Sequence, residues 1–170
     1  MKYTLSKQVK DAINNNKPVL ALESTIIASG MPYPENISFY KKAVQICINH
    51  CVVPATTAII KGKIHVGLNT DQLHHIATNK SVHKISKREI GVCLHKKLSG
   101  ATTVSSTSHI ANSVGIRVFS TGGIGGVHMG YGETLDMSQD ILCLQSTPII
   151  VVSSGVKSFL DVDKTVEALE

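Results

Sequence analysis

The sequence predicts an α/β fold with a largely parallel sheet, and three observations predict it. Short continuous apolar runs, the pattern of strands buried on both faces, alternate along the chain with segments of helical period. The 170 residues are 42% hydrophobic, with 17 Lys plus Arg against 12 Asp plus Glu, a globular composition at single-domain length. A chain of this size buries roughly two-thirds of its unfolded surface. That excludes disorder as the main state and removes any need for disulfides or a structural metal.

The elements follow in order. A first helix is expected from Leu5 to Asn15, with Leu5, Val9, Ala12 and Ile13 apolar and Asn14-Asn15-Asn16 ending it before Pro18. Val19 to Leu22 reads as a buried strand that stops at Glu23-Ser24-Thr25, and Gly30, Pro32 and Pro34 mark a loop. From Glu35 to Cys51, Ile37, Tyr40, Val44, Cys47 and Ile48 keep helical period. Thr56 to Ile60 and Ile64 to Val66 read as a hairpin around a three-residue loop, Lys61-Gly62-Lys63. Thr70 to Thr78 is expected as a helix capped by Thr70, followed by a strand near Val82 to Ile85 and a mixed stretch through Leu98.

The run Ala101 to Ser108 is rich in small hydroxylated residues, and a helix is expected only from Ser108 to Val114, stopped by Gly115. Arg117 to Ser120 reads as a strand that runs into Thr121-Gly122-Gly123-Ile124-Gly125-Gly126. Ser138 to Gln145 reads as a helix, Ile149 to Val152 as a very apolar strand and Ser158 to Leu169 as a helix. No repeat, linker or low-complexity tract divides the chain, so residues 1–170 are expected to form a single α/β domain.

Several function classes are excluded at this level. No apolar stretch approaches the roughly 20 residues of a membrane span, and the N-terminal sequence lacks a signal-peptide pattern, so a cytoplasmic location without membrane partners is expected. Cys47, Cys51, Cys93 and Cys143 fall in apolar-periodic segments and read as buried thiols. Cys47, His50 and Cys51 lack the further ligand a structural zinc would need. The net charge of +5 comes from scattered basic residues with only seven aromatics, which suits an anionic small molecule better than nucleic acid.

In open α/β sheets, ligands bind beyond the carboxyl ends of the strands. Glu23 follows Val19–Leu22, Lys84 stands in the strand before Ser86-Lys87-Arg88, the glycine run follows Val118-Phe119-Ser120, and Lys157 follows Ile149–Val152. A carboxyl and an amine on separate strand ends are a plausible acid/base and nucleophile. The bland alternatives are a strand-end carboxylate facing water and a solvated lysine. The glycines satisfy neither G-x-G-x-x-G nor the P-loop, yet they allow a backbone nest for an anion; a plain tight turn is the alternative. Asp136 and Asp140, spaced i,i+4, would share one face of a helix with Ser138 between them and suit a hard cation, or simply complement a helix dipole. His128 is a possible base, though an ordinary hydrogen bond is the commoner role.

Longer words of the sequence then come into view: Ala21-Leu22-Glu23-Ser24-Thr25-Ile26-Ile27, Gly30-Met31-Pro32-Tyr33-Pro34-Glu35-Asn36, Val53-Pro54-Ala55-Thr56, Gly100-Ala101-Thr102-Thr103-Val104, Phe119 through His128, and Lys157-Ser158-Phe159-Leu160-Asp161. In order and spacing, from about Pro18 to Glu170, they closely resemble the pseudouridine-5′-phosphate glycosidases. The resemblance implies a layered α/β/α fold that assembles as a homotrimer, with the chain equivalent to about the N-terminal half of a usual member. It implies reversible cleavage of the C-glycosidic bond of pseudouridine 5′-phosphate to uracil and ribose 5-phosphate, with Mn²⁺ or another divalent cation.

Carried over by residue, the proton donor falls on Glu23 and the Schiff-base lysine on Lys157. Substrate contacts fall on Lys84, Val104, Ser138, Gln139 and Asp140, and the metal ligand on Asp136. The sequence departs from the usual pattern at Ser86-Lys87-Arg88-Glu89, where two arginines and an aspartate are common, and at Leu135, where phenylalanine is common. The alternative reading is a noncatalytic truncated protomer that keeps a sugar-phosphate-binding or subunit interface.

Overall fold

The computed structural model describes residues 1–170. Its strands are β1 (Tyr3–Leu5), β2 (Val19–Leu22), β3 (Val53–Ile60), β4 (Lys63–Val66), β5 (His83–Ile85), β6 (Gly100–Thr102), β7 (Val118–Ser120) and β8 (Ile150–Val152). The helices are α1 (Lys7–Asn14), α2 (Glu35–Asn49), α3 (Thr70–Thr78), α4 (Ile90–His95), α5 (Val104–Ser113), α6 (Tyr131–Thr134), α7 (Gln139–Ser146) and α8 (Val162–Leu169). The sheet runs β1-β4-β3-β2-β7-β8, with β6 added to β3 and β5 to β6. Five of its seven pairings are parallel and two, β3 with β4 and β3 with β6, antiparallel, so the mostly parallel α/β expectation holds.

β3 is long enough to serve two neighbours on one side. Val53 to Thr56 pair with β2, while Ala58 and Ile59 pair with β6. The register sets the two faces of the sheet: Ala55, Ala21, Phe119 and Val151 align in one row. That row packs with Ile110, Ala111 and Ile116, at the α5 side, in the main core. The opposite face carries Ala58 and Ala101 against Ile76 of α3.

Several local expectations are corrected. The hairpin loop has two residues, because Lys63 already pairs with Ile60 and the turn residues Lys61 and Gly62 both have positive φ, 49° and 72°, the turn that matches strand twist. The cap of α3 is Asn69, whose side chain accepts from Gln72 N while Asn69 N donates to Gln72 Oε1; Thr70 is already helical. The hydroxyl run is no loop: α5 begins at Val104, and Ser105 to Ser108 are buried within it. Small hydroxyls allow that helix to lie close to the sheet, where Thr107 Oγ1 joins Thr102 and Thr57 in a buried network.

The last helix starts at Val162, capped by Asp161, because Ser158 to Leu160 form a turn instead. Cys51 is exposed, on a left-handed residue just past α2, while Cys47, Cys93 and Cys143 are buried. β8 is an edge strand with Ile150 and Val152 exposed rather than buried on both faces. β1 and α4 escaped the sequence reading: three residues and six residues carry too little periodicity to register.

Candidate active site

The word Glu23-Ser24-Thr25 does two jobs. Ser24 Oγ accepts from Thr102 N (2.9 Å) and Thr25 Oγ1 donates to Thr102 O (2.9 Å), fastening the end of β2 to β6. Glu23, thereby fixed, points between them and the start of the glycine run, where Thr121 Oγ1 donates to its Oε1. Burial pushes the Glu23 carboxyl above its ordinary range. The Thr121 hydrogen bond and the charges of Lys157 and Lys84 pull the other way without cancelling it, and Asp140 adds to the rise. A carboxyl that holds its proton more tightly than usual suits a proton donor.

Lys157 is placed by the segment after β8. Val156 bridges to Ile124, and Lys157 N donates to Ile124 O (3.2 Å). Its aliphatic stem lies over Gly123, where a Cβ would stand 3.1 Å from Lys157 Cγ. Of the two readings open for the glycine run, the backbone nest is present at Gly125, but the anion it receives belongs to the protein. Gly125 N donates to Asp140 Oδ2 (2.9 Å), and Ser105 N donates to Asp140 Oδ1 (2.9 Å). A side chain at Gly125 would collide with Ser138 and Asp140, and one at Gly126 with Thr165. Gly125 and Gly126 are therefore required by close approach rather than by a ligand.

Asp140 is buried, and its carboxylate braces the start of α5 against the glycine run. Asp136 and Asp140 do not share a helix face. Asp136 lies before α7, exposed, with its Oδ2 3.7 Å from His128 Nδ1, whereas Asp140 is inside α7 beyond the cap Ser138. Ser138 Oγ accepts from Asp140 N (3.2 Å), and Gln139 opens the helix.

One cleft of about 300 Å³ gathers Glu23, Lys84, Val104, Ser138, Gln139, Asp140 and Lys157. Of the eight residues singled out in the sequence, only Asp136 is outside its lining. Lys84 reaches it from β5, and Val104 contributes the first N–H of α5, which no intrahelical carbonyl can reach. Arg88 is also in the lining, largely exposed and paired with Glu89 at 2.8 Å. Burial raises Glu89, but hydrogen bonds from Ser86 and Arg88 outweigh it and hold the carboxyl below its usual range. The acidic residue of that word thus caps its own turn through Ser86 N (2.9 Å).

Thr121, Thr25, Met137 and Phe159 are site features the sequence reading missed. Thr121 was visible only as the residue before the glycines; its bond to Glu23 spans 98 positions and leaves no local pattern. Among metal donors, no three His, Cys, Asp or Glu side chains gather. A hard divalent cation that keeps most of its waters needs only one or two carboxylates. Asp136, exposed and facing only His128, fits that demand.

A mostly parallel sheet with a buried carboxyl and a lysine converging at its strand ends, beside a cationic rim, defines an α/β ligand site. The family model "Indigoidine synthase A like protein" matches residues 8–170, and the chain belongs to that family. Within it, the chain is 51% identical over 166 residues to a Deinococcus radiodurans protein named pseudouridine-5′-phosphate glycosidase, covering 98% of this chain and 53% of the relative. A protein of the same name from Staphylococcus aureus is 47% identical, with 97% and 54% covered.

Two solved structures agree. The prealnumycin C-glycosynthase AlnA in complex with ribulose 5-phosphate superposes with a TM-score of 0.88 at 42% identity, covering 98% of this chain and 54% of that one. An indigoidine synthase A-like protein from Thermotoga maritima gives 0.89 at 34% identity, again with 98% and 54% covered. The chain spans about half the length of the relatives it matches, the N-terminal half.

Proposed function

We propose that the cleft carries out reversible cleavage of the C-glycosidic bond of pseudouridine 5′-phosphate, giving uracil and ribose 5-phosphate. The observation that carries this reading is the convergence of Glu23 and Lys157 on one cleft whose rim holds Lys84 and the N-terminus of α5. The names of the relatives and the sugar phosphate bound by the C-glycosynthase support it. A C-glycoside has no leaving heteroatom to protonate, so the usual two-carboxylate glycosidase route does not apply.

Lys84, the first N–H of α5 and the polar start of α7 at Ser138 and Gln139 hold the sugar phosphate, which orients C1′ toward Lys157. The Lys157 amine attacks C1′ as the ring C1′–O bond breaks, and the proton shed by the nitrogen ends on the departing oxygen as a hydroxyl, opening the ribose. The nitrogen lone pair then forms the C=N bond of a Schiff base as the C1′–C5 bonding pair passes to uracil. Glu23 delivers a proton to that uracil carbon. Water hydrolyses the imine, releasing ribose 5-phosphate and restoring the lysine. Asp136 would anchor a divalent cation, Mn²⁺ first among them, whose charge offsets that of the phosphate.

A homotrimer of this 18.2 kDa chain belongs to the same proposal and is checked by light scattering. Four free thiols accord with a cytoplasmic location. The noncatalytic alternative is disfavoured because both the acid and the amine line the cleft. The deciding experiment is uracil release from pseudouridine 5′-phosphate with Mn²⁺ present. Release that depends on Glu23 and Lys157 is expected; absence of any release, alone or with the remaining half of a relative supplied, overturns the assignment.

A further inference from the structure

Glu23-Ser24-Thr25 runs straight into a wide turn, Ile26–Gly30, of the rare i→i+5 kind. In that spacing the carbonyl of Ile27 would take its hydrogen bond from residue 32. Residue 32 is a proline and has no N–H to give. Ile27 is 1% exposed, so bulk water does not stand in. A second orphan carbonyl lies close by. Ala77 is in the last turn of α3, and the N–H four residues on, that of Ser81, is already donated to Asn79 Oδ1 at 2.8 Å.

Asn36, in the first turn of α2, answers both. Its Nδ2 donates to Ile27 O (2.8 Å) and to Ala77 O (3.1 Å), while its Oδ1 accepts from Ile37 N (2.8 Å). The residue is 1% exposed, and both acceptors belong to a small apolar cluster of Ile27, Leu73 and Ala77. Two amide hydrogens on one planar group suit two converging carbonyls. A carboxylate there would turn lone pairs on them, and a leucine would leave both unpaired.

The wide turn meets the acid in two ways. It is continuous with Glu23 through Ser24 and Thr25, and Ile26 lies against Gly122, where a Cβ would stand 3.8 Å from Ile26 Cδ1. Gly122 follows the Thr121 that bonds Glu23. Ile26, Ile27, Glu23 and Thr121 also line one apolar groove of about 170 Å³, on the far side of Glu23 from the cationic cleft.

We propose that Asn36 is a positioning residue for Glu23: by tying Ile27 to the end of α3, it holds the wide turn as the wall against which the carboxyl is set. Asn36 itself is not in the lining of the cleft. The inference rests on the reading of Glu23 as the acid. Without the tie the turn lifts, water reaches Glu23 from the groove, and the effect of burial on its carboxyl weakens. Lys157 is carried by a different segment, after β8, and keeps its place.

The test compares Asn36→Ala and Asn36→Ser with Val9→Ala, a truncation at a residue 1% exposed in α1, each held equally far below its own melting temperature. Asn36→Ser leaves a polar space with three partners, Ile27 O, Ala77 O and the new hydroxyl, enough to seat one bridging water. It should therefore lie between Asn36→Ala and the parent, and it carries the comparison if Asn36→Ala does not fold. In Asn36→Ala the Glu23 carboxyl, followed by NMR and assigned with Glu23→Gln, should become about threefold more acidic. The kcat of uracil release should fall about tenfold with KM within about twofold, because the proton donor and not the sugar-phosphate site is displaced. Imine trapping at Lys157 by ribose 5-phosphate and hydride should hold. Val9→Ala should lower the melting temperature and leave titration, turnover and trapping near the parent.

A Glu23 titration unmoved in both Asn36 variants, or moved equally by Val9→Ala, overturns the inference. So does a fall in trapping as large as the fall in uracil release, which would make Asn36 a general support of the fold. A parent chain that releases no uracil counts against the proposed function, and the Glu23 titration then decides the role of Asn36.

Discussion

Thr121 Oγ1 donates a hydrogen bond to Glu23 Oε1, joining the carboxyl ends of β2 and β7 at residues 98 positions apart. The bond occupies Oε1 and restricts the orientation of the carboxyl. It also opposes the effect of burial, which raises Glu23 above its ordinary range. Hydrogen bonding to the charged form favours that form. Thr121→Val should move the Glu23 titration further upward, Thr121→Ser should restore it, and carboxyl titration by NMR reads both.

The raised Glu23 also has a stability consequence. The folded chain binds this proton more tightly than the unfolded chain does, so its stabilising share is fully present below the ordinary glutamate range. It is lost as pH rises through the raised folded value. Glu23→Gln should flatten that decline and make the chain relatively more stable at alkaline pH. Urea midpoints compared across pH 4 to 9 should therefore diverge between the two proteins; parallel curves would count against a raised carboxyl.

Lys157 should be the one lysine labelled when ribose 5-phosphate and a hydride donor are added together, because the imine is reduced to a stable secondary amine. Lys157→Ala should abolish labelling, and Lys157→Arg should as well, since guanidinium is no nucleophile. Glu23→Gln should still trap but release no uracil. Peptide mass mapping decides the matter, and label spread over surface lysines would sink the covalent step.

The two aspartates should separate cleanly. Asp140→Ala strips the acceptor from two backbone N–H groups, at about 1–3 kcal/mol each when buried. A loss of roughly 2–6 kcal/mol and a clear fall in melting temperature are expected. Asp136→Ala, exposed, should stay within about 0.5 kcal/mol of the parent while lowering activity at limiting Mn²⁺. Equal destabilisation by both would contradict the geometry.

Lys84→Ala should weaken ribose 5-phosphate binding about tenfold, or about 1.4 kcal/mol, without changing the melt, because the side chain is exposed at the cleft rim. The affinity lost should shrink as salt is raised, since solvent screens such a charge. Calorimetric titration at two ionic strengths measures it.

Much of this was legible in the sequence. Val19–Leu22 and Ile149–Val152 announce strands by unbroken apolarity, as does the shorter Val118-Phe119 pair, and the candidate site residues after them follow from the geometry of parallel sheets. What escaped has a common character. Asn69 and Thr70 are both good caps, so the choice between them depends on where the chain leaves β4. The run Thr102 to Ser108 carries no apolar stripe, and only its burial against the sheet makes it helix. Thr121 pairs with a residue 98 positions away, which no window of sequence can show.

The sequence by itself determined the class of fold, the strand ends and the acid and amine placed there, because these depend on local hydrophobic runs and residue chemistry. The tertiary structure decided which polar groups face the cleft and which brace the protein. Asp140 fills the glycine nest that an outside anion could have occupied, and Asp136, four residues earlier, stays in solvent. It also decided that β8 is an edge with one bare face. The physical reason is that burial and hydrogen-bond satisfaction belong to surfaces assembled from distant segments: a buried backbone N–H takes whichever acceptor the packing brings to it, and a strand is covered only if some other element arrives to cover it.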